Sequence, residues 1–153
     1  MGRQRRSGQV ELVRHPSRDI VLFVGNHHVE RTKLLLHLVD MSSVSGRDPV
    51  NDYEVINREL AAYDPQLAAR PQIVVATKLD ALDEPERVEN LRRRAEQDER
   101  KFFAVSSVTG AGVRELINEV GHEIDEMRAH AADRVRLDAD DGLLVGSGNS
   151  RSW

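Results

Sequence analysis

Two short runs hold the residues best suited to chemistry. The first is Thr77-Lys78-Leu79-Asp80, and the second is Ser106-Ser107-Val108-Thr109-Gly110-Ala111-Gly112. An ionised carboxylate such as Asp80 can accept two neighbouring N–H donors in a bidentate, charge-assisted arrangement. Lys78 has an apolar stem that can lie along a flat surface while its ammonium stays in water. The Ser106 hydroxyl could brace Asp80, and the peptide N–H of Ser107 could donate to a carbonyl oxygen. Lys and Asp are common in exposed turns, so the first run alone says little. A capping Asp80 beside a solvated Lys78 is the plain structural alternative. The second run gives the pair its weight, because it comes one strand–helix unit later and again directly after an apolar run.

The elements that must place these residues can be read from periodicity. "LLLHLVD", "PQIVVATKLD" and "KFFAVSS" are short apolar runs with the pattern of buried strands. Between the first two, Asp48 stands at a helix N-cap and Pro49 at the first helical position. Tyr53, Ile56, Leu60 and Tyr63 then repeat at helical spacing. Pro85 opens a second helix with Val88, Leu91 and Ala95 inward, and Val113, Leu116, Ile117, Val120, Ile124 and Met127 mark a third. Such alternation implies an α/β fold with a mostly parallel sheet of three or four strands and helices on both faces. Ligands of such sheets bind beyond the carboxyl ends of the strands. The loops after Asp40, Ala76 and Val105 are therefore where a site is expected, and two of them carry the runs above.

Composition narrows the function classes. The 153 residues are 39% hydrophobic and 31% charged, as in a soluble globular chain with one core. Only 4% are aromatic, which disfavours base stacking along single-stranded nucleic acid. A net charge of −4 is a poor match to binding through nucleic-acid phosphates, so direct DNA binding is not expected. With no cysteine, neither a disulfide framework nor a thiolate metal site is possible. No apolar run reaches the roughly 18 residues of a membrane span, and no secretory signal opens the chain, which makes the cytoplasm the expected location. Residues 133–153, acidic and then rich in Gly and Ser, are expected to be a disordered tail.

The two runs resemble the base-recognition motifs of translation-factor-type GTPases, the Asn/Thr-Lys-x-Asp and Ser-Ala-x motifs. The resemblance implies that Thr77, Lys78, Asp80, Ser106, Ser107 and Val108 bind a guanine nucleotide. Guanine presents two adjacent donors to Asp80, whereas adenine offers a lone pair there and would be repelled. Thr77 departs from the commoner Asn and cannot reproduce every bond of an amide. The longer stretch "HVERTKLLLHLVDMSSVSGRDPVNDYEVINRELAAYDPQLAARPQIVVATKLD", continued by "FFAVSSVTGAGVRELI", looks like the second half of the GTPase domain of the Obg family. It implies a partial P-loop GTPase-type three-layer sandwich over residues 29–132, with GTP or GDP as ligand. It further implies Mg²⁺ dependence and association with the large ribosomal subunit.

The phosphate side of such a site is missing from this sequence. No Gly-Lys dipeptide occurs, and no Asp stands three residues before a glycine. Phosphate and Mg²⁺ contacts normally need both. The expectation is a truncated domain with weak nucleotide binding, no catalytic residues, no protein metal ligands and no GTP hydrolysis by itself. "GNHHVERT", from Gly25 to Thr32, mimics a phosphate loop, but Glu30 would oppose an anion there. Residues 1–28 form a poorly assigned segment, with Ile20–Val24 expected to pair beside "LLLHLVD" in place of the missing strand. An interaction module that uses the sheet and helices without any nucleotide is the alternative reading.

Overall fold

The computed structural model describes the backbone of residues 9–14, 20–25 and 33–143, and the side chains of 33–137 apart from Ser45. A single sheet has the order β1-β2-β3-β4-β5. Its strands are β1 (Gln9–Arg14), β2 (Ile20–Gly25), β3 (Leu34–Asp40), β4 (Gln72–Thr77) and β5 (Lys101–Ala104). The last three pair in parallel, with Asp40 opposite Thr77 and Ala76 opposite Ala104. This is the expected parallel sheet. Beyond it the sheet is larger than expected and turns antiparallel: β2 pairs with β3, and β1 with β2. The link from Gly25 to Leu34 is too short for a parallel crossover, and an antiparallel partner satisfies the β3 edge without one.

The direction of β2 decides the reading of Gly25. Val24 lies opposite Leu34, so β2 delivers Gly25 to the end of the sheet where β3 begins. Asp40 and Thr77 lie at the other end. A phosphate loop would have to leave a strand at the end that carries the base motifs. The resemblance of "GNHHVERT" to one is coincidental. His27, His28 and Glu30 themselves lie outside the described residues.

Two crossover helices connect the parallel strands. Helix α1 (Pro49–Tyr63) begins where Asp48 accepts a hydrogen bond from the Val50 N–H at 3.2 Å, with proline in the first turn. It ends at Asp64, which caps the one-turn α2 (Pro65–Ala68) by accepting from Gln66 and Leu67. That stop leaves Tyr63 exposed, contrary to its place in the apolar pattern, and Leu67 is buried in its stead. Helix α3 (Pro85–Gln97) buries Leu91 and Ala95 with Val39, Met41, Tyr53, Val74 and Ala76. The Leu, Val and Met side chains among these each contribute roughly 1.5–3 kcal/mol by leaving water. Ile73 and Val75, alternating with Val74 and Ala76 along β4, are buried as well, so both faces of this strand are covered.

Helix α4 (Val113–Leu143) runs well past the point where its apolar pattern decays, through helix-favouring Ala131, Ala132, Arg134 and Arg136. Two compact units divide the chain, Met1–Asn118 and Glu119–Trp153, and α4 begins in the first and continues in the second. No helix among the described residues is long and apolar enough to cross a membrane.

Beneath α1, His37 of β3 is fully buried, with its ring stacked on Tyr53 at 5.2 Å and Nδ1 3.0 Å from Gln72 Nε2. Tyr53 donates to Asp98 at 2.8 Å and accepts from Arg100 at 3.0 Å, and Arg100 also donates to Asn57. Burial, and after it the nearby Arg100 charge, depress the imidazole pKa to about 3, so His37 is neutral in the fold. In the unfolded chain its pKa returns to an ordinary value near 6.5. The unfolded state thus binds the extra proton first, and stability must fall as pH drops below about 6.5. Between pH 7 and pH 5 the unfolding free energy should decrease by about 2 kcal/mol from this group. In urea titrations, His37→Gln should flatten that slope; an unchanged slope would show that His37 is not its source.

Candidate functional site

The parallel register assembles the site at the carboxyl ends of β3, β4 and β5. β4 ends at Thr77, whose hydroxyl donates to the Val39 carbonyl at 3.1 Å. Met41 N–H donates to Thr77 O at 3.1 Å across the same strand ends. The chain then turns sharply at Lys78, which adopts a left-handed backbone with φ 60° and ψ 41°. One turn of 3₁₀ helix, Leu79–Ala81, follows and carries Asp80. The Leu79 N–H reaches the Val105 carbonyl at 3.4 Å, tying this turn to the segment that continues β5.

Asp80 and Ser106 meet as the sequence suggested. Ser106 Oγ donates to Asp80 Oδ1 at 2.5 Å, joining residues 26 apart in the chain. The same hydroxyl accepts from the Thr109 N–H at 3.2 Å, so its donor and acceptor are both used. Ser106 is 1% exposed, whereas Asp80 lies open to solvent. One carboxylate oxygen is thus fixed from below, while Oδ2 has no partner among the described residues. Ser107 and Val108 are exposed beside it, and no described group accepts from the Ser107 N–H. These are the features that receiving two donors and supplying one requires.

Lys78 differs from expectation in one respect. Its ammonium is not simply hydrated, but pairs with Asp40 Oδ2 at 2.6 Å. Asp40 Oδ1 in turn accepts from the Ser42 N–H at 2.8 Å and from Ser42 Oγ at 2.7 Å. Burial works against the Asp40 charge, but the hydrogen bonds from Lys78 and Ser42 outweigh it and hold the carboxyl below its ordinary value. In sequence Asp40 reads only as the end of a strand. The one signal that could have revealed its role is that a parallel neighbour places it beside the residue preceding Lys78. Further out on the same loop, the Ser43 hydroxyl bonds Asp83.

The turn after Ser106 depends on two glycines of different kinds. Ser106 N–H donates to the Ala111 carbonyl at 3.0 Å, and Gly110 N–H returns to the Ser106 carbonyl at 2.9 Å. Gly110 and Gly112 have φ +78° and +71°, a region that side chains other than glycine's enter only with strain. A Cβ on Gly112 would also lie 2.1 Å from the Ala104 carbonyl oxygen, whereas one on Gly110 would meet open space. Gly112→Ala should therefore cost about 2–4 kcal/mol and Gly110→Ala about 1–2 kcal/mol, measured as unfolding free energies in denaturant. Equal costs would mean that the Ala104 contact is not what requires Gly112.

Among the described residues no group of three His, Cys, Asp or Glu side chains could hold a metal ion. His37, the one described histidine near the strands, is enclosed by Tyr53 and Gln72.

The chain is similar to curated proteins named GTPase Obg. That of Solibacter usitatus (strain Ellin6076) is 50% identical over 108 residues, covering 71% of this chain and 29% of that protein. That of Shouchella clausii (strain KSM-K16) is 49% identical over 100 residues, covering 64% and 23%. The protein from Syntrophotalea carbinolica (strain DSM 2380 / NBRC 103641 / GraBd1) is 42% identical over 113 residues, covering 74% and 30%. The chain therefore spans less than a third of the length of these relatives. No family model matches it.

Proposed function

The matched stretch of this chain is Obg-family GTPase sequence, and from that premise we propose that it binds the base of a guanine nucleotide, GDP or GTP. The observation that carries this reading is the Ser106–Asp80 hydrogen bond. It fixes a solvent-facing carboxylate at the carboxyl ends of two parallel strands, where a base can reach it. Asp80 accepts from the guanine ring N–H and exocyclic amine, and the Ser107 N–H donates to the base oxygen. The Lys78 stem lies against the ring, Val108 borders it, and Thr77 anchors the loop to β3 through Val39. Adenine would set its own lone pair against Asp80, which is the origin of selectivity.

Affinity is modest in this proposal, because the sequence holds neither a Gly-Lys phosphate loop nor a D-x-x-G motif. For the same reason the chain alone leaves GTP intact. Isothermal titration of the full chain with GDP and ADP tests the base site. GDP should bind more tightly, and Asp80→Ala should abolish the preference at a cost on the order of tenfold or more in affinity for GDP. Equal binding of the two nucleotides would remove the proposal. Phosphate release from GTP above the buffer rate would contradict the absence of turnover.

Association with the large ribosomal subunit, and with it a place in the cytoplasm, belongs to the same proposal through the family resemblance. Co-sedimentation of the chain with isolated large subunits is the corresponding measurement; a chain that stays in the supernatant would refute it.

A further inference from the structure

A lysine side chain has about 2 kcal/mol of rotamer entropy, and a base resting on a freely moving stem must pay for its ordering. In this fold the ordering is already done. The left-handed backbone at Lys78 directs the residue out of the β4 line, and Asp40 Oδ2 holds the ammonium at 2.6 Å. Asp40 is itself immobilised through its other oxygen by the backbone and hydroxyl of Ser42. The two side chains differ in exposure: Asp40 is 10% exposed and Lys78 is 51% exposed. The anchor is enclosed, while much of the lysine remains open. The parallel pairing of Asp40 with Thr77 makes the arrangement a property of the sheet rather than of one loop.

We infer that Asp40 is a positioning residue for the base site, pinning the Lys78 ammonium so that the lysine methylenes form a fixed shelf for the face of a guanine ring. The inference rests on the reading of Asp80 and Ser106 as the base pocket. It has a consequence for charge. A lysine neutralised by Asp40 is not free to follow a phosphate, so its contribution to binding is through the base. Ser42 supports the anchor at one remove, by fixing the orientation of the Asp40 carboxylate.

A double-mutant cycle on the full chain, with GDP and guanosine as titrants, tests this. Asp40→Asn preserves shape and can still accept from Ser42, but it releases the ammonium. Because the lysine of the pair is half-exposed, the expected loss of GDP affinity is about 3- to 5-fold. Lys78→Ala should lose at least as much, and Asp40→Asn added to Lys78→Ala should cost nothing further. Guanosine should show the same pattern as GDP. A purely structural Asp40 would instead give independent losses in the double variant, or a lowered Tm with unchanged affinity, and either would overturn the inference. If the unmodified chain binds GDP and ADP alike, the base-pocket reading fails and the inference fails with it. If it prefers GDP but the two losses are independent, only the role of Asp40 is refuted.

Discussion

The parallel register of β3, β4 and β5 is the constraint on which the rest depends. It sets Asp40 beside Thr77 and Ala76 beside Ala104, so the three chain exits emerge side by side. From that alignment follow the two contacts that build the site: Ser106 to Asp80, and Lys78 to Asp40. A slip of one residue between β3 and β4 would separate Lys78 from Asp40, and one between β4 and β5 would separate Ser106 from Asp80. The register is in turn held by packing. Val39, Val74 and Ala76 present one face to Tyr53 and Leu91 of the crossover helices, and Ile73 and Val75 are buried on the other.

The same sheet explains how the edge of β3 is satisfied in this chain. An unpaired β3 edge would expose a row of backbone donors and acceptors. Here β2 satisfies it from the antiparallel direction and β1 covers β2 in turn. The antiparallel direction carries Gly25 to the end of the sheet opposite the one where Asp40 and Thr77 lie.

Features that arise from neighbours in sequence were legible before the structure. Asp48 and Pro49 open α1, Pro85 opens α3, and Thr77 to Asp80 follows β4 directly. The Ser106 brace was legible too, because both partners sit in recognisable motifs. What escaped the sequence depends on non-local register or on local competition. Asp40 acquires its role only when β4 is laid beside it. Tyr63 fits the apolar face of α1, but Asp64 caps the next turn and takes the chain away before Tyr63 can pack. The strand Gln9–Arg14 mixes charged and apolar residues in a run of six and is stabilised by pairing with β2 rather than by its own pattern.

In the proposed site, Asp80 is the group that reads the Watson–Crick edge of a guanine base. The most direct measurement is heteronuclear NMR titration of the chain and of Asp80→Asn with GDP and with xanthosine diphosphate. Xanthine has a carbonyl where guanine has its exocyclic amine, so a carboxamide that donates suits it and a carboxylate does not. Shifts centred on Thr77 to Asp80 and Ser106 to Val108 are expected with GDP in the unmodified chain, and a preference for xanthosine diphosphate in Asp80→Asn. Shifts confined to other parts of the chain, or the same preference in both proteins, would contradict this reading of Asp80.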